Sequence, residues 1–201
     1  MLTNIETCME GYGCGDDTEW GNNIISDQAV QGPSGRIGYQ EQVDAVPNQQ
    51  AVQKCKAIAN EAGKLASGLS NIWGSEGSED FEPFYIANHD GWNCESINVE
   101  QAWKIFGDTL YPKTEIEVKS IGDLKTLATM NAWHDDDLKR WNVLLDWFLE
   151  SSDFTESKCI EVNKSSDEIY EMAGGCVFPR LLVGRLADGS LAGLFIVVVW
   201  T

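Results

Sequence analysis

Four stretches of the chain place apolar residues at helical spacing. They cover residues 52–69, 98–106, 124–128 and 135–149, and Asn98 can cap the second of them. The last stretch is the most regular, because its apolar side chains share one face and three aspartates occupy its first turn. The pattern therefore predicts four helices, of which the one that begins near Asp135 is the clearest.

Strand signals fall between these helices and after them. Three short apolar or alternating segments are typical of strands, at residues 83–87, 115–119 and 158–163. Asp188-Gly189 separates two apolar runs, 180–186 and 194–200, which predicts a β-hairpin. Residues 195–200 do not alternate, so we expect a central strand that is covered on both faces. We predict an α/β fold, an α-β-α sandwich with a mixed central sheet.

The first fifty residues differ in composition from the rest. They are rich in glycine and hold eight acidic side chains against one basic side chain, Arg36. No period of 2 or 3.6 persists there, so we interpret residues 1–50 as a mostly irregular, Gly-rich acidic arm. A set of short strands capping the main domain is the alternative. Residues 51–201 form the predicted globular domain.

The charge of the chain limits its partners. Of 201 residues, 32 are acidic and 14 are basic, which gives a formal net charge of −18. Such a polyanion repels DNA, RNA and anionic lipid, so we expect no nucleic-acid or membrane partner, but a basic surface, a cation or a metal. No apolar run is long enough for a membrane-spanning helix, and the first residues do not resemble a signal peptide. These features predict a cytoplasmic protein.

Few residues suggest catalysis. His89 and His134 have no partner at metal-ligand spacing. Aspartates 135–137 are better explained as complementing a helix dipole and supplying an N-cap than as a metal site. The six cysteines form no C-x-x-C pair, so we expect buried or free thiols. A two-carboxylate hydrolase is an alternative in so acidic a chain, but no pair stands out. We predict a binding protein with no catalytic residues and no cofactor of its own, and not an enzyme.

Two features suit an acidic binding surface. One is the acid-rich loop at residues 75–80, which is either a solvated turn or an anionic finger aimed at a cationic cleft. The other is Thr201, which follows the predicted central strand. Its hydroxyl and terminal carboxylate are hard oxygens, which suit Mg²⁺ or Mn²⁺.

The C-terminal segment resembles the closing hairpin and chain end of the nuclease A inhibitor family. Residues 182–194 read Leu-Val-Gly-Arg-Leu-Ala-Asp-Gly-Ser-Leu-Ala-Gly-Leu, and the sequence ends in Val-Val-Trp-Thr. Residues 78–84 resemble the Ser-Glu-rich loop that leads into a Pro-Phe strand in that family. Segments 117–124 and 141–149 fall in matching order, so the resemblance covers about residues 51–201.

This resemblance implies an α-β-α sandwich that inhibits a metal-dependent, non-specific DNA/RNA endonuclease by occupying its active cleft. In the family, a loop glutamate engages a basic residue of the nuclease and the terminal threonine reaches the catalytic Mg²⁺ or Mn²⁺ of the nuclease. An ungapped match places these roles at Glu79, or at Glu76 if the loop is one register longer, and at Thr201. The candidate partner-binding residues are therefore Glu79, Glu76, Asp80, Ser78, Trp200 and Thr201.

Three departures from the family pattern leave a second interpretation open. The first fifty residues have no counterpart, residues 174–179 are an apparent insertion, and Trp200 stands where the family often has an acid. The alternative is an acidic protein-interaction module of the same fold that does not inhibit nucleases.

Overall fold

The computed structural model describes residues 49–75, 77–78, 80–88, 94–106, 114–164 and 177–199. The helices in this part of the chain are α1 (Gln49–Ala66), α2 (Val99–Phe106), α3 (Ile121–Asn131) and α4 (Asp135–Glu150). The strands are β1 (Gly77–Ser78), β2 (Glu82–Ile86), β3 (Thr114–Ser120), β4 (Glu156–Lys164), β5 (Val177–Arg185) and β6 (Leu191–Val199). Of the predicted arm, Gln49 and Gln50 are described, and both belong to α1.

All four predicted helices are present, and local signals set their ends. The chain leaves α1 through Gly68, whose φ of +69° is a conformation that favours glycine. Asn98 caps α2, because its Oδ1 accepts a hydrogen bond from Gln101 N at 2.9 Å. A capping box opens α3: Ser120 Oγ accepts from Asp123 N, and Asp123 Oδ2 accepts from Ser120 N.

The strands form one sheet in the order β3-β4-β5-β6, and β1 and β2 share the free edge of β6. β2 pairs with residues 191–195 of β6, and β1 pairs with residues 198–199. The prediction of a central strand near the end of the chain is therefore confirmed. Residues 191–198 are buried throughout.

Every strand pair among the described residues is antiparallel, so the prediction of a mixed sheet is wrong. Between β3 and β4 the chain passes through α3 and α4, which lie side by side with Lys125 paired to Asp146. Helix α3 runs away from the end of β3, and α4 runs back toward it. As a result β4 starts at the end of the sheet where β3 finishes, and Ser120 pairs with Lys158. A parallel pair would need a crossover that returns the chain to the opposite end.

Side-chain alternation divides the strand residues between two faces of the sheet. One face packs against α1, α3 and α4 in a hydrophobic cluster whose sheet members are Cys159, Phe178, Leu182, Leu194, Ile196 and Val198. The other face meets the segment that precedes α2. There Ile97 N donates to Glu156 Oε2 at 2.8 Å, and Arg185 Nε donates to Cys94 O at 2.6 Å.

The hairpin predicted at Asp188-Gly189 is confirmed. Gly189 has φ +82°, and Ser190 N donates to Asp188 Oδ1 at 3.0 Å. The apparent insertion at residues 174–179 overlaps β5, because residues 177–179 pair with β6. Residues 174–176 lie outside the described part of the chain. None of the described helices has the length and apolar character needed to cross a bilayer.

Candidate functional site

Strand β1 brings the acid-rich loop beside the end of β6. Gly77 pairs with Val199, and Ser78 pairs with Val198. The sequence predicted an exposed turn here, but two of its residues extend the sheet. We call residues 70–75, 77–78, 80–81 and 198–199 the β1 edge.

The Asn71 side chain organises the turn that leads into β1. Its Oδ1 accepts hydrogen bonds from Trp73 N and from Ser75 Oγ, each at 3.1 Å. Its Nδ2 donates to Ser78 Oγ at 3.2 Å. Asparagine commonly closes turns through such side-chain bonds, and here one side chain joins the two sides of the acid-rich loop.

Three aromatic rings fix the β1 edge to the core. Trp73 precedes β1, Phe81 follows it, and both rings contact Trp141 of α4, at centroid distances of 6.0 and 5.5 Å. These two contacts are edge-to-face, an arrangement that aromatic quadrupoles favour. Trp141 Nε1 also donates to Ser70 O at 3.0 Å. Both ends of the loop are therefore attached to the same buried ring.

A buried carboxylate supports this edge from the sheet. Glu161 of β4 is 3% exposed. Trp73 Nε1 donates to its Oε1 at 2.9 Å, and Lys119 Nζ donates to its Oε2 at 2.6 Å. Buried charges persist in proteins when they are paired and hydrogen-bonded. The Glu161 carboxylate meets that condition, and one of its partners is Trp73 of the β1 edge.

Arg180 lies opposite Glu161 on β5 and is 1% exposed. Its Nη1 donates to Pro179 O at 2.9 Å and to Val162 O, and its Nη2 donates to Asn163 Oδ1 at 2.8 Å. Burial lowers the pKa of Arg180 to about 10, while the charge of Glu161 acts in the opposite direction. The guanidinium therefore stays charged at pH 7.

The neighbours of Glu161 are held in fixed protonation states. Desolvation lowers the pKa of Lys119, but hydrogen bonds and charges from Glu161 and Glu117 outweigh it, so the pKa is raised. Burial, with the Glu161 charge, raises the pKa of Cys159 well above its usual value. At neutral pH the group contains charged lysine and arginine and a neutral thiol. It can hold a segment in place, but it offers no activated nucleophile.

The described residues include two of the six candidate partner-binding residues. Ser78 is half-buried and bonded to Asn71, and Asp80 is exposed. The other four lie outside the described residues: Glu76, Glu79, Trp200 and Thr201. Among the described residues, Gly77 of the loop pairs with Val199 at the end of β6.

The histidine and the aspartates at the start of α4 do not form a metal site. His134 is the N-cap residue of α4 and makes no side-chain capping bond, so the prediction that an aspartate supplies this cap is wrong. Aspartates 135–137 fill the first turn, where negative charge is favourable, and Asp136 pairs with Lys139 at 2.8 Å. No group of three or more histidine, cysteine or acidic side chains able to hold a metal occurs among the described residues. His89 lies outside them.

The prediction of buried free thiols is confirmed for Cys55, Cys94 and Cys159. Burial raises the pKa of Cys55 and of Cys94 to about 11. These thiols are therefore neutral at physiological pH and poor nucleophiles. The remaining three cysteines, at positions 8, 14 and 176, lie outside the described residues.

Neither a scan of protein-family models nor a search of curated proteins finds a match to this sequence.

Sequence reasoning missed Asn71 and the Glu161–Arg180 pair. A signal for the pair was present, because Glu161 stands between Ile160 and Val162, and Arg180 begins an apolar run. A charged residue inside a strand that is otherwise buried requires a partner. Two such residues on predicted strands were therefore candidates for a cross-strand pair.

Proposed function

We propose that this chain is an inhibitor protein that uses the β1 edge to occupy the active cleft of a basic, metal-dependent, non-specific DNA/RNA endonuclease. One observation carries the proposal. β1 pairs with the end of β6, so the acid-rich loop and the strand that precedes the C-terminal residues meet at one edge of one sheet.

The physics of a nuclease cleft supports this assignment. Such a cleft holds phosphates with cations and a divalent metal, so a rigid acidic wedge can place oxygens where phosphate oxygens bind. The net charge of −18 steers the chain toward a basic partner. Asn71 and the aromatic contacts hold Ser78 and Phe81 in place before binding, which reduces the entropy lost on association. Inhibition then requires no catalysis and no resident cofactor in this chain.

The positions of the helices favour the proposed α-β-α sandwich. Helices α1, α3 and α4 contribute to one hydrophobic cluster with the sheet. The segment leading into α2 bonds to Glu156 and Arg185, whose side chains alternate onto the other face. The proposal therefore agrees with the three-layer arrangement that the resemblance implies.

The roles proposed for the loop glutamate and for Thr201 follow the residue-by-residue resemblance, and those of their neighbours are our own assignment. Glu79, or Glu76, pairs with a basic residue of the nuclease, and Asp80 contributes to the rim of the contact together with Ser78. Trp200 and Thr201 enter the cleft, and Thr201 places oxygens against the Mg²⁺ or Mn²⁺ of the nuclease.

The first experiment changes the C-terminus. In a protein produced to end at Thr201, adding four residues after it removes the terminal carboxylate and obstructs the cleft, so we expect inhibition of a purified Mg²⁺-dependent non-specific endonuclease to be lost. The matched control carries the same four residues before Met1 and should inhibit like the unmodified chain. Equal inhibition by both proteins would refute the role of Thr201.

The second experiment removes the loop charge. Glu79→Ala should weaken inhibition by roughly 2–5 kcal/mol if its carboxylate is buried against a cationic residue. Glu150→Ala removes an equal charge at the C-terminal end of α4 and serves as the control. If Glu79→Ala leaves the inhibition constant unchanged, Glu76→Ala is the next test. Full activity of the nuclease with the unmodified chain would favour an interaction module that does not inhibit.

A further inference from the structure

Two large apolar side chains are exposed beside the β1 edge. Met130, in the last turn of α3, and Trp133, in the turn before α4, are each 75% exposed. No other large hydrophobic side chain among the described residues is as exposed; Val143 and Leu149 follow, at 57% and 53%. Exposed aromatic and methionine side chains are enriched where proteins bind other proteins.

Hydrogen bonds connect this pair to the acid-rich loop. Asn131, next to Met130, donates from Nδ2 to Ile72 O at 2.9 Å. Ile72 follows Asn71, which in turn binds Ser78 of β1. The turn that carries Trp133 and the strand that carries Ser78 are therefore held by the same short segment.

The start of α4 strengthens this connection. Arg140 donates to the carbonyl of Gly68 at 3.0 Å and to the carbonyl of Ser67. Trp141 donates to Ser70 O and packs against Phe81. The backbone on both sides of the exposed pair is fixed, so the pair is presented without a large ordering cost on binding.

We propose that Met130 and Trp133 are the apolar anchor of the partner interface, and that they insert into an apolar pocket on a basic protein, next to the cleft that receives the β1 edge. This inference rests on the proposed function, because the endonuclease supplies the basic surface. The net negative charge of the chain then contributes mainly to the association rate, and the apolar anchor contributes mainly to the lifetime of the complex.

Charge favours a basic protein over two other possible partners of Met130 and Trp133, which are a second copy of the chain and its own first fifty residues. The aspartates at 135–137 begin two residues after Trp133, so an approaching surface meets negative charge near the indole. A second copy of the chain brings another charge of −18, and the first fifty residues carry eight acids against one base. Both are repelled at short range, whereas a basic protein is attracted.

The test measures affinity and inhibition separately with the full chain. The probe is a purified Mg²⁺-dependent non-specific endonuclease, with calorimetry for binding and a DNA-cleavage assay for inhibition. Combined Met130→Ala and Trp133→Ala should raise the dissociation constant at least about 30-fold, as expected for a tryptophan hot spot. Leu149→Ala, an exposed apolar change about 20 Å along α4, should alter it less than twofold.

Kinetics separate the anchor from the loop charge. The anchor variant should dissociate faster and keep the salt dependence of the association rate, whereas Glu79→Ala should reduce that salt dependence. Unchanged dissociation of the anchor variant, in a complex that still inhibits, overturns this inference and leaves the proposed function intact. Binding that needs the anchor but does not inhibit supports the inference and overturns the proposed function. Absence of binding by the unmodified chain overturns both.

Hydroxyl-radical footprinting tests whether a second copy of the chain, or another segment of the same chain, covers Met130 and Trp133. Trp133 and Met130 should be oxidised readily in the free chain and protected when the endonuclease is added. Protection that grows with the concentration of the chain alone would assign the pair to self-association and overturn the proposal. Concentration-independent protection in the free chain would assign the pair to another segment of the same molecule, with the same consequence.

Discussion

Replacing Arg180 with methionine should destabilise the protein strongly, although no ligand or partner contacts are involved. Methionine keeps most of the apolar stem but removes the guanidinium, which is 1% exposed. The carbonyls of Pro179 and Val162 and the Asn163 side chain each lose a donor. Glu161, directly opposite and 3% exposed, loses a nearby cation.

The expected magnitude follows from these losses. Each buried polar group left without its partner costs about 1–3 kcal/mol, but backbone and Asn163 can adjust. Glu161 keeps its bonds to Lys119 and Trp73, so Arg180→Met leaves no buried charge without a partner. The lost acceptor contacts then dominate, and we expect a cost of at least about 1–3 kcal/mol. Lys139→Met, which removes an exposed partner of Asp136, should change the free energy of unfolding by less than about 1 kcal/mol.

A double-mutant cycle tests the reasoning more sharply than either variant alone. Glu161→Leu should also destabilise, since Trp73 Nε1 and Arg180 lose a buried anion. The double variant should be about 0.5–3 kcal/mol more stable than the sum of the single effects predicts, because it contains no buried guanidinium that lacks its neighbouring anion. Urea unfolding at pH 7, followed by tryptophan fluorescence, measures all three. Additivity within about 0.5 kcal/mol would refute the coupling between these side chains.

Three further predictions concern the described part of the fold. Ser120→Ala should lower stability by about 1 kcal/mol through loss of the N-cap bond. It should also raise the pKa of Asp123, which the Ser120 hydrogen bonds hold below its usual value; carboxyl NMR titration checks the shift. The stabilisation linked to Asp123 is present above its unfolded pKa and is lost as pH falls through the lower folded one, so this variant should lose less stability as pH falls below about 4. Cys55 and Cys94, with pKa values of about 11, should resist iodoacetamide at pH 8 until the protein is unfolded, as peptide mapping would show. Their unfolded forms ionise near pH 9, so the thiols should contribute a fall in unfolding free energy as pH rises from 9 to 11. Gly193→Ala should cost at least about 1–3 kcal/mol in urea unfolding, because its Cβ would lie 1.9 Å from a backbone oxygen of β5.

Local signals account for the elements that the sequence predicted. Asn98, the Asp188-Gly189 turn and the apolar face of α4 act within a few residues of the elements they define. Such short-range chemistry can be read without knowing the rest of the fold.

The missed features depend on contacts between distant residues. β1 has two residues, Gly77 and Ser78, and exists because β6 offers an open edge to pair with. The antiparallel orientation of β3 and β4 also depends on how α3 and α4 pack against each other. Hydrophobic periodicity along the sequence does not reveal that packing. For the same reason, the sequence predicted acids in the loop but not Asn71, which closes it.

Shared side-chain contacts connect the buried Glu161 carboxylate to the β1 edge. Trp73 donates to Glu161 in the sheet and also packs on Phe81 and Trp141, so the same side chain links the charged group to the β1 edge. A surface loop without such links would lose conformational entropy when it entered a cleft. Here the sheet pairing, the Asn71 bonds and the aromatic contacts already restrict the β1 edge when the protein folds. Less conformational entropy is therefore lost when a partner binds. An acidic edge built in this way can recognise a basic cleft by shape as well as by charge, which net charge alone does not provide.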